Sequence, residues 1–207
     1  MSKATPNDFP EMLENANHSY LGKVVSVGPF NGFRPSGITL HYTADRDIAR
    51  VVKTLKDRGL GYNVIIDRDG TIYQTAKLTD RCYHAGKAIW NGKSPNRTHL
   101  SISLISWGFV KEAGPHYEAW NREMVPAWDV KDRFGQYWDA ATEAQERSML
   151  QLLVLLVGLG IDPGEICGHD ECALPPGRKA DPGGVIGVRP KNLRDQIKAI
   201  TSRTSLS

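Results

Sequence analysis

From Met149 to Val157 the chain reads MLQLLVLLV, apolar at every position except Gln151. A helix that is apolar round nearly its whole circumference has no side to offer to water, so other elements must surround it. Thr142, with Gln145 three positions later, is the capping-box pattern that opens such a helix, which then runs to Leu159. The expectation is a central, buried helix with a sheet to pack against. At 207 residues and 40% hydrophobic, the chain is long enough for one globular domain with a sizeable core. Its longest apolar run, Leu150 to Leu156 with one Gln, falls well short of the about 20 residues that span a bilayer, so no stable membrane insertion is expected.

Strand and helix patterns alternate ahead of that helix. GITLHYT reads as a strand ending near His41, followed by an amphipathic helix with Ile48, Val51, Val52 and Leu55 on one side, closed by Gly59. YNVIIDRDGTIYQ reads as two strands around an Asp69-Gly70 turn, because glycine adopts positive φ at little cost. LSISLIS, from Leu100, is a further strand, and a short helix at the end places Leu193, Ile197 and Ile200 on one side. Residues 1–36 read as an irregular extension and 203–207 as a tail, leaving one domain over 37–202. The order of elements predicts an α/β domain with a central mixed β-sheet flanked by helices.

Composition removes several classes of function. Three cysteines, Cys82, Cys167 and Cys172, are too few and too odd in number for a disulfide framework. A net charge of +3, with basic residues scattered among acids, gives no footprint for nucleic acid. MSKATPNDFPEMLENANHSY shows no secretory pattern, so cytoplasmic residence is expected. A monomer is the default state.

GHDECALPPGRKADPGG, Gly168 to Gly184, is too polar and turn-rich to be core. It is either a solvated connection or a site. A catalytic metal needs three ligands from separate elements and one open position. His41 at a strand end, His169 just past the apolar helix and an anionic group in the following loop meet that need. Taken alone, each histidine is more simply a buried core residue.

Together, ITLHYTA, GYNVIIDRDGTIYQ, YHAG, LSISLIS and GHDECALPPGRKADPGG resemble, in that order, the zinc-dependent N-acetylmuramoyl-L-alanine amidases, a family that includes phage lysozyme-type amidases and peptidoglycan recognition proteins. The resemblance covers roughly residues 36 to 202. It implies one Zn2+ held by His41, His169 and Asp181, Lys179 as the catalytic lysine, and Tyr62 as the tyrosine that phage-type members place beside the metal. It also implies a substrate-binding cleft lined by His84, Asn96 and Arg178, and peptidoglycan as the substrate. The chemistry agrees: amide hydrolysis needs a nucleophile at neutral pH and a fixed cation or donor for the oxyanion.

Two features depart from the family pattern. Many relatives carry a strand like serine-isoleucine-glycine-isoleucine-glutamate, whose acid serves as general base; here Ile105 stands at that place. The spacing from His169 to Asp181 is longer than usual, and Cys172 is an alternative third ligand, since thiolate binds zinc well. The stretch from about 107 to 140 holds four of the five tryptophans. It reads either as an aromatic wall of the cleft or as an insertion with its own small core. Three functions follow from the resemblance: a wall-degrading amidase of phage endolysin type, acting on the wall after release; a cytosolic amidase recycling anhydro-muropeptides; or a non-catalytic peptidoglycan-binding module.

Overall fold

A computed structural model describes residues 9–204; the first eight residues of the extension and the last three of the tail lie outside the described residues. Along the chain run β1 (Ser26–Pro29), β2 (Gly37–Tyr42), α1 (Ile48–Asp57), β3 (Val64–Ile66), β4 (Ile72–Gln74), β5 (Asp80–Cys82), the one-turn α2 (Pro95–Thr98) and β6 (His99–Leu104). Six short strands follow: β7 (Gly108–Phe109), β8 (Lys111–Ala113), β9 (His116–Glu118), β10 (Met124–Val125), β11 (Val130–Arg133) and β12 (Gln136–Asp139). The chain closes with α3 (Glu143–Gly158), β13 (Ile166–Gly168), the one-turn α4 (His169–Cys172) and α5 (Pro190–Thr204).

The central sheet has the order β13-β2-β6-β3-β4, with the first four strands parallel and β4 antiparallel to β3. This is the expected mixed sheet, flanked by helices. Successive residues of a strand point to opposite sides, and here the two sides differ in kind. Ile38, Leu40, Val64, Ile66, Leu100, Ile102 and Leu104 face Met149, Leu152, Leu153 and Leu156 of α3 and Leu193 and Ile197 of α5. Each such side chain stabilises the fold by about 1.5–3 kcal/mol relative to exposure. The alternate residues Thr39, His41, Ser101 and Ser103 are equally buried on the other side. There α1 covers part of the sheet, with Val51, Val52 and Leu55 against Ile65 and Ile105.

Local signals explain the helix ends. Asp47 caps α1 by accepting from Arg50 N–H at 2.9 Å, and Gly59, at φ 67°, leaves it. Thr142 and Gln145 form the expected capping box, each accepting the other's backbone N–H at 3.1 Å. The Gln145 amide then donates to the carbonyls of Ile66 and Ile105, tying α3 to the ends of β3 and β6. The expectation that α3 is central and buried is corrected: it is an outer layer on one side of the sheet, with Leu155 49% exposed and Gln151 in solvent. The last helix is longer than expected, and its Ile200 is 37% exposed. The extension read as irregular contains β1, antiparallel to β5, and places Phe9, Leu13 and Phe30 in the main core.

Residues 107–140 build two small three-stranded sheets, β10-β9-β8 and β11-β12-β7, around a cluster of Trp107, Val110, Ala119, Val125 and Val130. The reading as an insertion with its own core describes this part. Its base is tied to the main sheet by the fully buried Asp139, which accepts from Arg46 at 2.5 and 2.9 Å and from Arg68 at 3.1 Å.

Candidate metal centre

The polar side of the sheet ends in the site. His41 is the fifth residue of β2, paired in register with Ser103 of β6. His169 opens α4 directly after β13, the neighbour of β2 on its other edge. Asp181 returns over this end of the sheet, its carbonyl accepting from Asp170 N–H at 2.7 Å. That close approach requires glycine at 168, where a Cβ would fall 2.1 Å from Asp170 Oδ1 and 2.8 Å from Pro182 Cδ. It also requires glycine at 184, where a Cβ would meet Trp138 Cδ1 at 2.3 Å. Trp138 thus supports the loop from beneath.

Asp181 Oδ2 lies 2.8 Å from His41 Nδ1 and 2.9 Å from His169 Nδ1. The potential ligand atoms of these three buried residues all lie within 4.8 Å of one another. Two imidazole nitrogens and one carboxylate oxygen make a donor set for a divalent cation, with one position left open. The far side of each ring is also held. His169 Nε2 donates to Ala85 O at 2.9 Å, which leaves its Nδ1 bare. His41 Nε2 lies 3.0 Å from His84 Nδ1; donation in that direction bares His41 Nδ1 in the same way.

The electrostatics suit this assignment. Burial pushes the His41 pKa down despite the Asp181 carboxylate, and the charge of Lys179 adds to the effect. Burial opposes ionisation of Asp181, but its close polar contacts with His169 and His41 outweigh it and hold the carboxyl well below the usual carboxylate range. At neutral pH His41 is therefore a neutral imidazole and Asp181 a carboxylate, the forms that bind metal. His84 is driven well below its ordinary pKa, first by burial and then by neighbouring histidines.

The remaining sequence candidates divide by position. The Tyr62 ring lies 5.0 Å from that of His41, tilted by 37°. Burial first, then the Asp181 charge, raise its pKa, so its hydroxyl stays protonated at neutral pH. Lys179 is exposed on the loop, near enough for its charge to be felt at His41. Asn96 holds the YHAG segment: its Oδ1 accepts from His84 N and Ala85 N, both at 2.9 Å, and its Nδ2 donates to Gly86 O. Arg178 straps the metal loop to the same segment through the carbonyls of Leu174, Ala85 and Lys87. His84 is 7% exposed and lies against the His41 ring.

Cys172 is corrected as an alternative ligand. It is buried among Ala85, Ala88 and Cys167, with its Sγ 3.7 Å from His169 O, outside the ligand group. Ile105 is fully buried against α1, so no acid stands at that place. Tyr42, absent from the sequence candidates, also feels the site: its hydroxyl pKa is pushed up to about 12 by burial and then by the Asp181 charge. Its position next to His41, at the end of a strand, was the available signal.

Comparison with known proteins places these residues in a family. The family model described as N-acetylmuramoyl-L-alanine amidase matches residues 31–184. A Rickettsia conorii protein named for that activity is 34% identical over 107 residues, which are 51% of this chain and 38% of the relative. Among solved structures, AmiD from E. coli, in complex with anhydro-N-acetylmuramic acid-L-Ala-D-gamma-Glu-L-Lys as substrate, is similar with a TM-score of 0.57 at 19% identity, covering 89% of this chain and 61% of that one. AmpD gives 0.55 at 19% identity, covering 89% and 97%. An endolysin amidase, LysCS, from Clostridium intestinale gives 0.53 at 19%, covering 89% and 98%. At these identities the structures speak for the fold, and the family model, matching most of the chain, shows that the protein belongs to the N-acetylmuramoyl-L-alanine amidase family.

Proposed function

We propose that this protein hydrolyses the amide bond between N-acetylmuramic acid and L-alanine in peptidoglycan, with one Zn2+ held by His41, His169 and Asp181. We further propose that it acts as a phage-type endolysin, resident in the cytoplasm and reaching the wall after release. The observation that carries the reading is the convergence of His41 Nδ1, His169 Nδ1 and Asp181 Oδ2, with the opposite nitrogen of each ring held from behind. When bound, Zn2+ supplies a nucleophilic water at neutral pH and a Lewis acid for the scissile carbonyl.

The chain's own residues do the rest. His84 and the Ala85 carbonyl keep both imidazoles in the ligating tautomer. The Tyr62 hydroxyl, protonated at neutral pH, can relay to the departing L-alanine nitrogen the proton that water loses. Lys179, whose charge reaches His41, is the cation for the tetrahedral oxyanion. The buried Ile105 leaves the proton transfers to Tyr62 and Lys179, which favours the endolysin over the recycling reading. AmiD, solved in complex with anhydro-N-acetylmuramic acid-L-Ala-D-gamma-Glu-L-Lys as substrate, keeps soluble fragments as the second reading.

The test is to incubate zinc-loaded protein with Gram-negative sacculi, with and without EDTA, and identify new ends by mass spectrometry. New L-alanine amino termini without new reducing sugars, abolished by EDTA, are the expected result. Cleavage of soluble anhydro-muropeptides alone would replace the endolysin reading with the recycling one. Binding without cleavage of either would leave a recognition module.

A further inference from the structure

Trp120 stands out among the exposed side chains. The residue is 71% exposed, yet its Nε1 donates to Ala44 O at 2.8 Å. Ala44 lies three residues past His41 in the loop leaving β2, within about 11 Å of chain, and turns there at φ 57°. Both partners are rigid. The tryptophan is in the tight turn between β9 and β10, closed by Ala119 N–H to Glu123 O and Arg122 N–H to Ala119 O, both at 2.9 Å. The Ala44 loop is braced by Thr43, whose hydroxyl donates to Asp45 O at 2.6 Å and accepts from Ser106 N at 3.1 Å. Arg50 joins turn to loop, lying 2.8 Å from Asp45 and 3.6 Å from Glu123.

A large apolar ring fixed in place and left in water contributes little to folding, since its area stays exposed. Such a ring is what a binding surface uses: a rigid contact with little conformational entropy left to lose. The chemistry around it narrows the ligand. Arg50 pairs with Asp45 and Glu123, and Arg122 of the turn offsets the second acid, so these four charges cancel and the turn presents an indole. Charged stem peptides and anionic lipids gain little there. A pyranose with equatorial substituents has a flat face of axial C–H groups that fits an indole, and a wall glycan is a chain of such rings.

We propose that Trp120 is a stacking platform for the glycan strand at the rim of the site, making the protein selective for polymeric wall over released fragments. This rests on the amidase reading above and deepens it by naming the part of the substrate that is held. Binding to peptide-free glycan strands, measured by co-sedimentation, tests it without needing cleavage. Trp120→Ala is expected to weaken that binding about tenfold and to raise KM on sacculi by a similar factor with kcat retained; Trp120→Phe recovers part of the loss. Leu155→Ala, an exposed apolar change on the outer side of α3, keeps wild-type binding. Equal strand binding by Trp120→Ala and wild type would overturn the proposal, as would a loss confined to kcat or an equal loss in Leu155→Ala. Wild type that binds strands but releases no L-alanine termini would instead strike the amidase reading and leave the platform standing.

Discussion

In β2, Leu40 and His41 are neighbours in sequence and belong to different chemistries. Leu40 is fully buried among the apolar residues facing α3 and α5, and His41, equally buried, faces Asp181 and His84. The apolar side is held by shape and volume, and leaves no polar atom to satisfy. The polar side must pair every donor and acceptor, because a buried polar atom without a partner costs roughly 1–3 kcal/mol. Polar side chains buried together at one end of a sheet, where apolar ones would pack at less cost, mark the part of a fold shaped by something other than stability. The two sides should therefore fail independently.

The largest effect is expected for Asp181→Ala, which removes the carboxylate shared by both imidazoles. Activity should fall to background and bound metal should disappear from elemental analysis, with circular dichroism unchanged. Leu153→Ala should do the opposite, costing about 2–5 kcal/mol in urea unfolding through the cavity it leaves, with one metal per folded chain retained. Loss of metal in Leu153→Ala under native conditions would show that the two sides are not separable. Lys179→Ala sharpens the comparison within the polar side. Exposed as it is, it should leave stability and metal content alone and lower turnover about 10²–10³-fold; unchanged turnover would remove it from the mechanism.

What could be read in the sequence follows the same division. The apolar side announces itself by periodicity, so β2, α1, β6 and α3 were all found from their patterns. Its misreading, a buried α3, came from Leu155: composition marks it for the core, but position on the outer stripe of the helix leaves it 49% exposed. The ligands were legible through a long motif resemblance. Their supports were not, because they depend on contacts between distant segments. Arg178 reads as a cleft residue until the fold brings the carbonyls of Ala85 and Lys87 to it. His84 lies 43 positions from the histidine it supports.

Acid should act mainly through the polar side. His99, hydrogen-bonded to Thr39 at 3.0 Å, is pushed down to about 4 by burial and by the charge of Lys93. Its folded pKa lies below the unfolded value of 6.5, so between those limits the unfolded state binds the extra proton. Stability is complete above pH about 6.5 and falls as pH drops towards 4, by about 3 kcal/mol from this group. Urea unfolding at several pH values should show that decline, and His99→Gln should flatten it. An equally steep decline in the variant would assign the slope to another group.

The smallest effect expected is the most specific. His84 supplies the acceptor for His41 Nε2–H, and outer partners of this kind are worth about 10–100-fold in metal affinity. His84→Ala should weaken Zn2+ binding by that factor in a chelator competition, while His84→Asn, which keeps an acceptor oxygen, should lose less. The cobalt-substituted spectrum should broaden in the alanine variant as the His41 ring loosens, a change that mere loss of packing near the site would not give. If both variants bind Zn2+ as the wild type does, His41 is oriented by β2 alone. The polar side would then owe its geometry to the strand rather than to its network, and His84 would have no role in metal binding.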